Sequence, residues 1–300
     1  MAFNIQAQSR VKVGTVAYFN FDDPVLNYMV GMSGFNFERS GNDEHIRDLI
    51  IDLQVNQPSP NVVSVLAKGI MVDNGGRGLD NSKSYIDVVL LANTKDAQPG
   101  LLLSNVNGIP SGQQGTPVND LPLNPVFKAA VVSGFNMSYG SDVDHHVKDI
   151  HISVGITSTT TSGTSATVTG QATMVDGGGR SVVNPTLDAG VIAENGSYQS
   201  AGFFSTTAFN SQSGLLTGTL ASRSTSPVFA TLVQGFDVSY SGSDHHVLAI
   251  ELATSVTAVS AVSDPGTYGV LVNSAISMKD SSGNKSDPSK SWVSGLVICN

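Results

Sequence analysis

A Pro-Val-led apolar run closing on Gly-Phe occurs three times in this chain: "PVLNYMVGMSGF" from Pro24, "PVFKAAVVSGF" from Pro125 and "PVFATLVQGF" from Pro227. The glycines of these runs, Gly34, Gly134 and Gly235, lie 100 and then 101 residues apart. Three further blocks follow each run in the same order. The first is an Asp-His stretch: "GNDEHIRDLI" at 41–50, "GSDVDHHVKDI" at 140–150 and "SGSDHHVLAI" at 241–250. The second is a strand entering a turn: "KGIMVDNGGRG", "GQATMVDGGGRS" and "NSAISMKDSSGNK". The third is an apolar closing strand: "YIDVVLLAN", "LDAGVIAEN" and "WVSGLVICN". Four ordered blocks at constant spacing predict three tandem units, at residues 1–94, 95–195 and 196–300. The period exceeds the 20–50 residues of a solenoid unit, so each unit is expected to own a core.

The strands read as β. "VKDIHISVGI" and "VLAIELATSV" alternate apolar with polar residues, the period of a half-buried strand. "DNGGRG", "DGGGRS" and "SSGNKSDPS" punctuate them as turns, and no segment carries a 3.6-residue apolar stripe. The expected fold is all-β, three antiparallel β-sandwich modules. Residues 95–124 and 196–226, rich in Ser, Thr, Gly, Gln and Asn, read as linkers that become the first strand of the next module. The closing strands carry almost no polar alternation. They are expected to be buried on both faces and to lie at an interface.

Composition excludes several function classes. The formal net charge of −9 argues against nucleic-acid and polybasic membrane partners. No stretch approaches 18 apolar residues, the length that spans a bilayer. Cys299 is the only cysteine, which leaves no internal disulfide and no cysteine-based zinc site. "MAFNIQAQSR" lacks the basic-then-apolar pattern of a secretory signal. The reading leaves a cytoplasmic, a non-classically exported or a virion location open.

The Asp-His stretches invite a catalytic or metal reading. Strand alternation puts Asp43 with His45, Asp144 with His146 and Asp244 with His246 on the apolar side, and turns His145 and His245 outward; Glu44 replaces that outer His in the first unit. The pairs read as structural pins, the carboxylate accepting backbone N–H groups after a turn and the imidazole donating to it. One Asp and one His per unit fall short of the three or four ligands of a metal site, so no metal and no other cofactor is expected. "DGGGRS" at 176–181 reads as a turn rather than a phosphate loop, because no helix follows it. No G-x-S-x-G elbow is present, and the chain is expected not to be an enzyme.

The order of blocks, ending in apolar strands such as "VLLA" at 89–92 and "GVIA" at 190–193, resembles H-type lectins. That resemblance implies six-stranded antiparallel sandwiches that trimerise and bind N-acetylgalactosamine-like sugars. Where that family uses an aromatic ring, "MVDNGGRG" and "MVDGGGRS" offer Asp and Arg. The candidate ligand-binding residues are therefore Asp73, Arg77, Asp176, Arg180, His145 and His245. The expected function is multivalent, non-enzymatic binding, glycan-binding or adhesin-like. The alternative is a structural subunit of a phage tail, contractile injection machine or surface filament. Expected partners are a glycan or further copies of the chain in a homo-oligomer. Three units on one chain could also gather into a pseudo-threefold cluster.

Overall fold

A computed structural model describes residues 3–41, 43–94, 100–113, 115–140, 144–158, 165–196, 202–209, 216–222, 227–261 and 266–300. Every named element is a β-strand. In the first third of the chain these are β1 (Phe3–Lys12), β2 (Thr15–Asn20), β3 (Val25–Glu38), β4 (Asp48–Ser59), β5 (Val62–Val72) and β6 (Tyr85–Thr94). The second third holds β7 (Leu101–Pro110), β8 (Thr116–Val118), β9 (Phe127–Ser138), β10 (Asp149–Ser158), β11 (Ala166–Val175) and β12 (Thr186–Glu194). The last third holds β13 (Gly202–Phe209), β14 (Leu216–Ala221), β15 (Phe229–Ser239), β16 (Ala249–Ala261), β17 (Thr267–Lys279) and β18 (Trp292–Cys299). The two Ser/Thr-rich stretches thus supply β7, β8, β13 and β14. The parts of those stretches at 95–99, 114, 197–201, 210–215 and 223–226 lie outside the described residues.

The strands form three six-stranded antiparallel sheets, ordered β1-β6-β3-β16-β17-β14, β2-β5-β4-β9-β12-β7 and β13-β18-β15-β10-β11-β8. Each sheet takes three strands from one third of the chain and three from another. The joins close a ring: β4 pairs with β9, β10 with β15 and β16 with β3. The architecture is β-sandwich-like.

The repeated glycines sit at these joins. A Cβ added to Gly34, Gly134 or Gly235 would meet a carbonyl oxygen of the strand across the join: Leu252 O at 2.5 Å, Ile51 O at 2.7 Å or Ile152 O at 2.7 Å. Beside each glycine the register slips by one residue, at Ser33, Ser133 and Gln234. A bulge of this kind bends its strand and sharpens the local twist. Each of β3, β9 and β15 pairs with its own closing strand along most of its length and, from its glycine onward, also pairs on its other edge with a strand of the neighbouring third.

Behind the glycines, Phe35, Phe135 and Phe236 meet on a common axis with ring centroids 5.9–6.4 Å apart. One turn of packing further along, a Cβ on Gly31 would lie 2.6 Å from Leu232 Cδ2 and 3.0 Å from Val131 Cγ2. The closing strands β6, β12 and β18 are buried almost throughout. Leu91, Ile192 and Ile298 of these strands belong to one apolar cluster around the axis.

The largest apolar cluster also takes residues from all three thirds, among them Phe19, Ile51, Phe135, Ile152, Phe236 and Leu252. The buried cluster runs on across the thirds rather than stopping at their boundaries. β3, β9 and β15 bury both faces, one against their own strands and one toward the axis.

Candidate functional site

At one end of the axis the chain leaves β3, β9 and β15, turns, and returns as β4, β10 and β16. The returning segments bridge one another: Glu44 with Val247, Ile46 with His145, and Val147 with His245. The backbone bonds of this ring have ordinary lengths, for example Val147 N–H to His245 O at 2.9 Å and Ile46 N–H to His145 O at 3.0 Å. Ile46, Val147 and Val247 are fully buried in it. The residue before each, His45, His146 or His246, is brought to the axis. Their rings meet edge to face with centroids 4.4–4.7 Å apart, and one ring nitrogen of each lies within 4.8 Å of the others.

Each axial histidine faces a carboxylate from a different third of the chain. His45 Nδ1 lies 3.2 Å from Asp144 Oδ1, and His146 Nδ1 lies 3.8 Å from Asp244 Oδ1, an ion-pair separation. Asp43 acts electrostatically on His246 in the same sense. The other oxygen of Asp144 and of Asp244 accepts a backbone N–H from a neighbouring turn, from Asn74 at 3.0 Å and from Gly177 at 2.9 Å. Asp43 accepts from Ser281 at both oxygens, from its N–H at 3.1 Å and its Oγ at 2.5 Å. Burial works against Asp144, but the bonds from Asn74 and His45 hold it below its ordinary carboxyl range. The Gly177 bond does the same for Asp244. His146 is lowered by burial and then by the neighbouring His246 and His45. It favours the neutral imidazole.

These pairs differ from those expected within single stretches. Asp43 with His45, Asp144 with His146 and Asp244 with His246 are not partners; Asp144 and Asp244 each reach the histidine of another third, and Asp43 holds Ser281. The burial order is also reversed. The side chains of His145 and His245 are 14% and 23% exposed, against 40% for His146. A ligand count taken per repeat undercounts the centre, because the fold adds one imidazole from each third.

The outer histidines fill a second ring of contacts. His145 Nδ1 is 2.9 Å from Asp176 Oδ2, under the ring of Tyr139. His245 Nδ1 is 3.2 Å from Asp280 Oδ2, under Tyr240. In the first third Arg39 stands for the tyrosine and Glu44 for the histidine. Arg77 then bridges Glu44 to Asp73, its Nε 2.7 Å from Asp73 Oδ2. The candidate residues Asp73, Arg77, Asp176, Arg180, His145 and His245 thus divide among three turns, at Asp73, Asp176 and Asp280, rather than forming one pocket. The Arg180 side chain is exposed, while its backbone N–H donates to Asp176 Oδ1 at 2.7 Å. Gly179, at φ +83°, closes the "DGGGRS" turn, where positive φ suits glycine. Asp280, not singled out in the sequence, could have been found by aligning "MKDSSGNK" with "MVDNGGRG".

A second feature lies at the join of the first and second thirds. A groove of about 380 Å³ is lined by Tyr28 on β3, Asp52 and Gln54 on β4, Asn105 and Asn107 on β7, and Asp188 on β12, among others. Asn105 laces its walls, accepting from Val30 N–H at 3.0 Å and donating to Tyr28 O at 3.2 Å. Asp188 is raised by burial and by Asp52, partly offset by the Gly108 N–H that it accepts. No family model matches the chain, and no curated protein is detectably similar to it.

Proposed function

We propose that this is a non-enzymatic, multivalent binding protein whose three tandem β-sandwich modules, resembling H-type lectins, cluster around one axis and take polar, neutral ligands of the glycan class. The groove of Tyr28, Asp52, Gln54, Asn105, Asn107 and Asp188 carries this reading. Its volume of about 380 Å³ falls in the range of small-ligand sites. Carboxylates and amides around a cleft match the hydroxyl donors and acceptors of a sugar, and a tyrosine ring can cover a pyranose face. The groove draws on two thirds of the chain, so the cluster and the ligand site belong together.

A glycan array followed by calorimetry tests the proposal. Saturable binding that Tyr28→Ala and Asp52→Asn each weaken, with melting unchanged, supports it. Glycan binding untouched by both variants, or no saturable glycan binding at all, overturns it.

A second reading, a subunit of a larger assembly such as a phage tail or filament, is favoured by apolar residues in solvent near the starts of β3, β9 and β15. Leu26, Val126 and Val228 are 60%, 69% and 44% exposed. Exposed apolar surface of this kind suits contact with another subunit. Sedimentation and electron microscopy separate the readings: discrete monomers favour binding alone, and regular rings or filaments that Val126→Asp dissolves favour assembly.

A further inference from the structure

We propose that His45, His146 and His246 bind one divalent transition-metal ion, Zn²⁺ or a metal of similar preference, on the axis where the three thirds of the chain meet. The proposal is independent of the glycan reading.

Three arguments carry it. The first is convergence. Three imidazoles from residues about a hundred positions apart place one ring nitrogen each within 4.8 Å of the others. Around a tetrahedral zinc with bonds of about 2.0–2.1 Å, such nitrogens stand about 3.4 Å apart. Side-chain rotation toward the axis closes that gap.

The second is orientation. A metal-bound histidine characteristically gives its other ring N–H to a carboxylate, which fixes the tautomer and raises ligand basicity. His45 Nδ1 faces Asp144 at 3.2 Å and His146 Nδ1 faces Asp244 at 3.8 Å, which leaves Nε2 as the axial atom. Asp43 stands at the equivalent position in the first third, held there by Ser281. These carboxylates are themselves held by turn N–H groups, so the orienting shell is anchored.

The third is charge and access. Three carboxylates, Asp43, Asp144 and Asp244, lie around the centre and can compensate the charge of a dication. The side chains of His45 and His146 are 39% and 40% exposed, so an ion can enter and a water can take a fourth position. Imidazole ligands suit Zn²⁺, Cu²⁺ and Ni²⁺, whereas Ca²⁺ and Mg²⁺ prefer oxygen. Because the ligands come from separate thirds, the ion would clasp the ring of bridges closed.

The test uses tag-free, chelator-treated full-length protein titrated with Co²⁺ and with Zn²⁺. One equivalent of Co²⁺ should develop the intense visible absorption of four-coordinate cobalt, which one equivalent of Zn²⁺ then bleaches. His146→Gln and His246→Gln should each abolish that absorption. Asp244→Asn should weaken binding about 10–100-fold, as loss of an orienting carboxylate does. Zn²⁺ should raise the melting temperature of the wild type, and a chelator should reverse the rise. That last measurement stands even if a histidine variant fails to fold. Cobalt that keeps its pale octahedral spectrum, a wild-type titration by His146→Gln, or wild-type melting indifferent to Zn²⁺ would each overturn the proposal.

Discussion

Asp244 Oδ2 accepts the backbone N–H of Gly177 at 2.9 Å, fastening the return into β16 to a turn in the preceding third of the chain. Asp144 with Asn74 and Asp43 with Ser281 repeat this bond around the axis. The donor is the backbone, so the residue at the turn is free to be Gly, Asn or Ser. At the third position Ser281 adds its Oγ, 2.5 Å from Asp43 Oδ1. Asp244→Ala leaves the Gly177 N–H without its acceptor and His146 without its carboxylate. A loss of about 1–3 kcal/mol in denaturant unfolding is expected, the range for a charge-assisted bond at a partly buried site. Ser281→Ala keeps the backbone bond and should cost less. An Asp244→Ala variant as stable as wild type would show that these bonds do not hold the ring together.

The joins between thirds should be intolerant of one methyl group. Gly134→Ala would press a Cβ against Ile51 O at 2.7 Å, backbone against backbone, where the β4–β9 pairing ends at Asp52 and Gly134. Overpacking of this kind costs about 1–3 kcal/mol or more. Gly155→Ala on β10 is the control, since its nearest neighbour would be Thr169 Oγ1 at 3.6 Å. Thermal melts of the two should separate clearly. Equal melting would mean that the glycines mark the repeat without enforcing the close approach.

The three axial phenylalanines are expected to act as one unit. Phe135→Ala should cost about 3–5 kcal/mol, as for a large core side chain. Because Phe35, Phe135 and Phe236 touch pairwise, a Phe35→Ala, Phe135→Ala double variant should lose less or more than the sum of the singles. Couplings of about 0.5–3 kcal/mol are usual for residues in contact. Strict additivity in the unfolding free energies would count against a shared axial core.

The all-β architecture was legible because alternation and glycine-rich turns are local signals, and the apolar closing strands announced their two-sided burial. The partners of Asp144 and His146 were not legible. Alternation assigns a residue to a face of its strand, but the face of Asp144 opens onto a turn at Asn74 that is 70 positions away. The same limit hid the histidine cluster, whose members share no stretch of sequence. Gly34, Gly134 and Gly235 were visible as landmarks of the repeat, yet their role against a neighbouring carbonyl depends on which third of the chain lies across the join. The groove at Tyr28 draws on β3, β4, β7 and β12, and no single motif could have signalled it.

Asp188 should weaken the fold at neutral pH. Burial and the nearby Asp52 raise its carboxyl above the ordinary value of 3.8. A carboxyl raised in the folded state binds its proton more tightly there than in the unfolded chain, so its contribution to stability improves as pH falls through the folded value and levels off below 3.8. Asp188→Asn keeps an oxygen to accept the Gly108 N–H, which Asp188 Oδ1 holds at 2.7 Å, while removing the buried charge. The variant should melt above wild type at pH 7, and that advantage should shrink on acidification toward the 3.8 limit. Because Asp188 lines the groove, the same substitution should weaken any glycan held there, a gain in stability set against a loss of binding. Melting curves across pH, beside glycan titrations of the same protein, read both effects. An Asp188→Asn protein less stable than wild type at pH 7 would mean that the charge makes a favourable contact outweighing its burial.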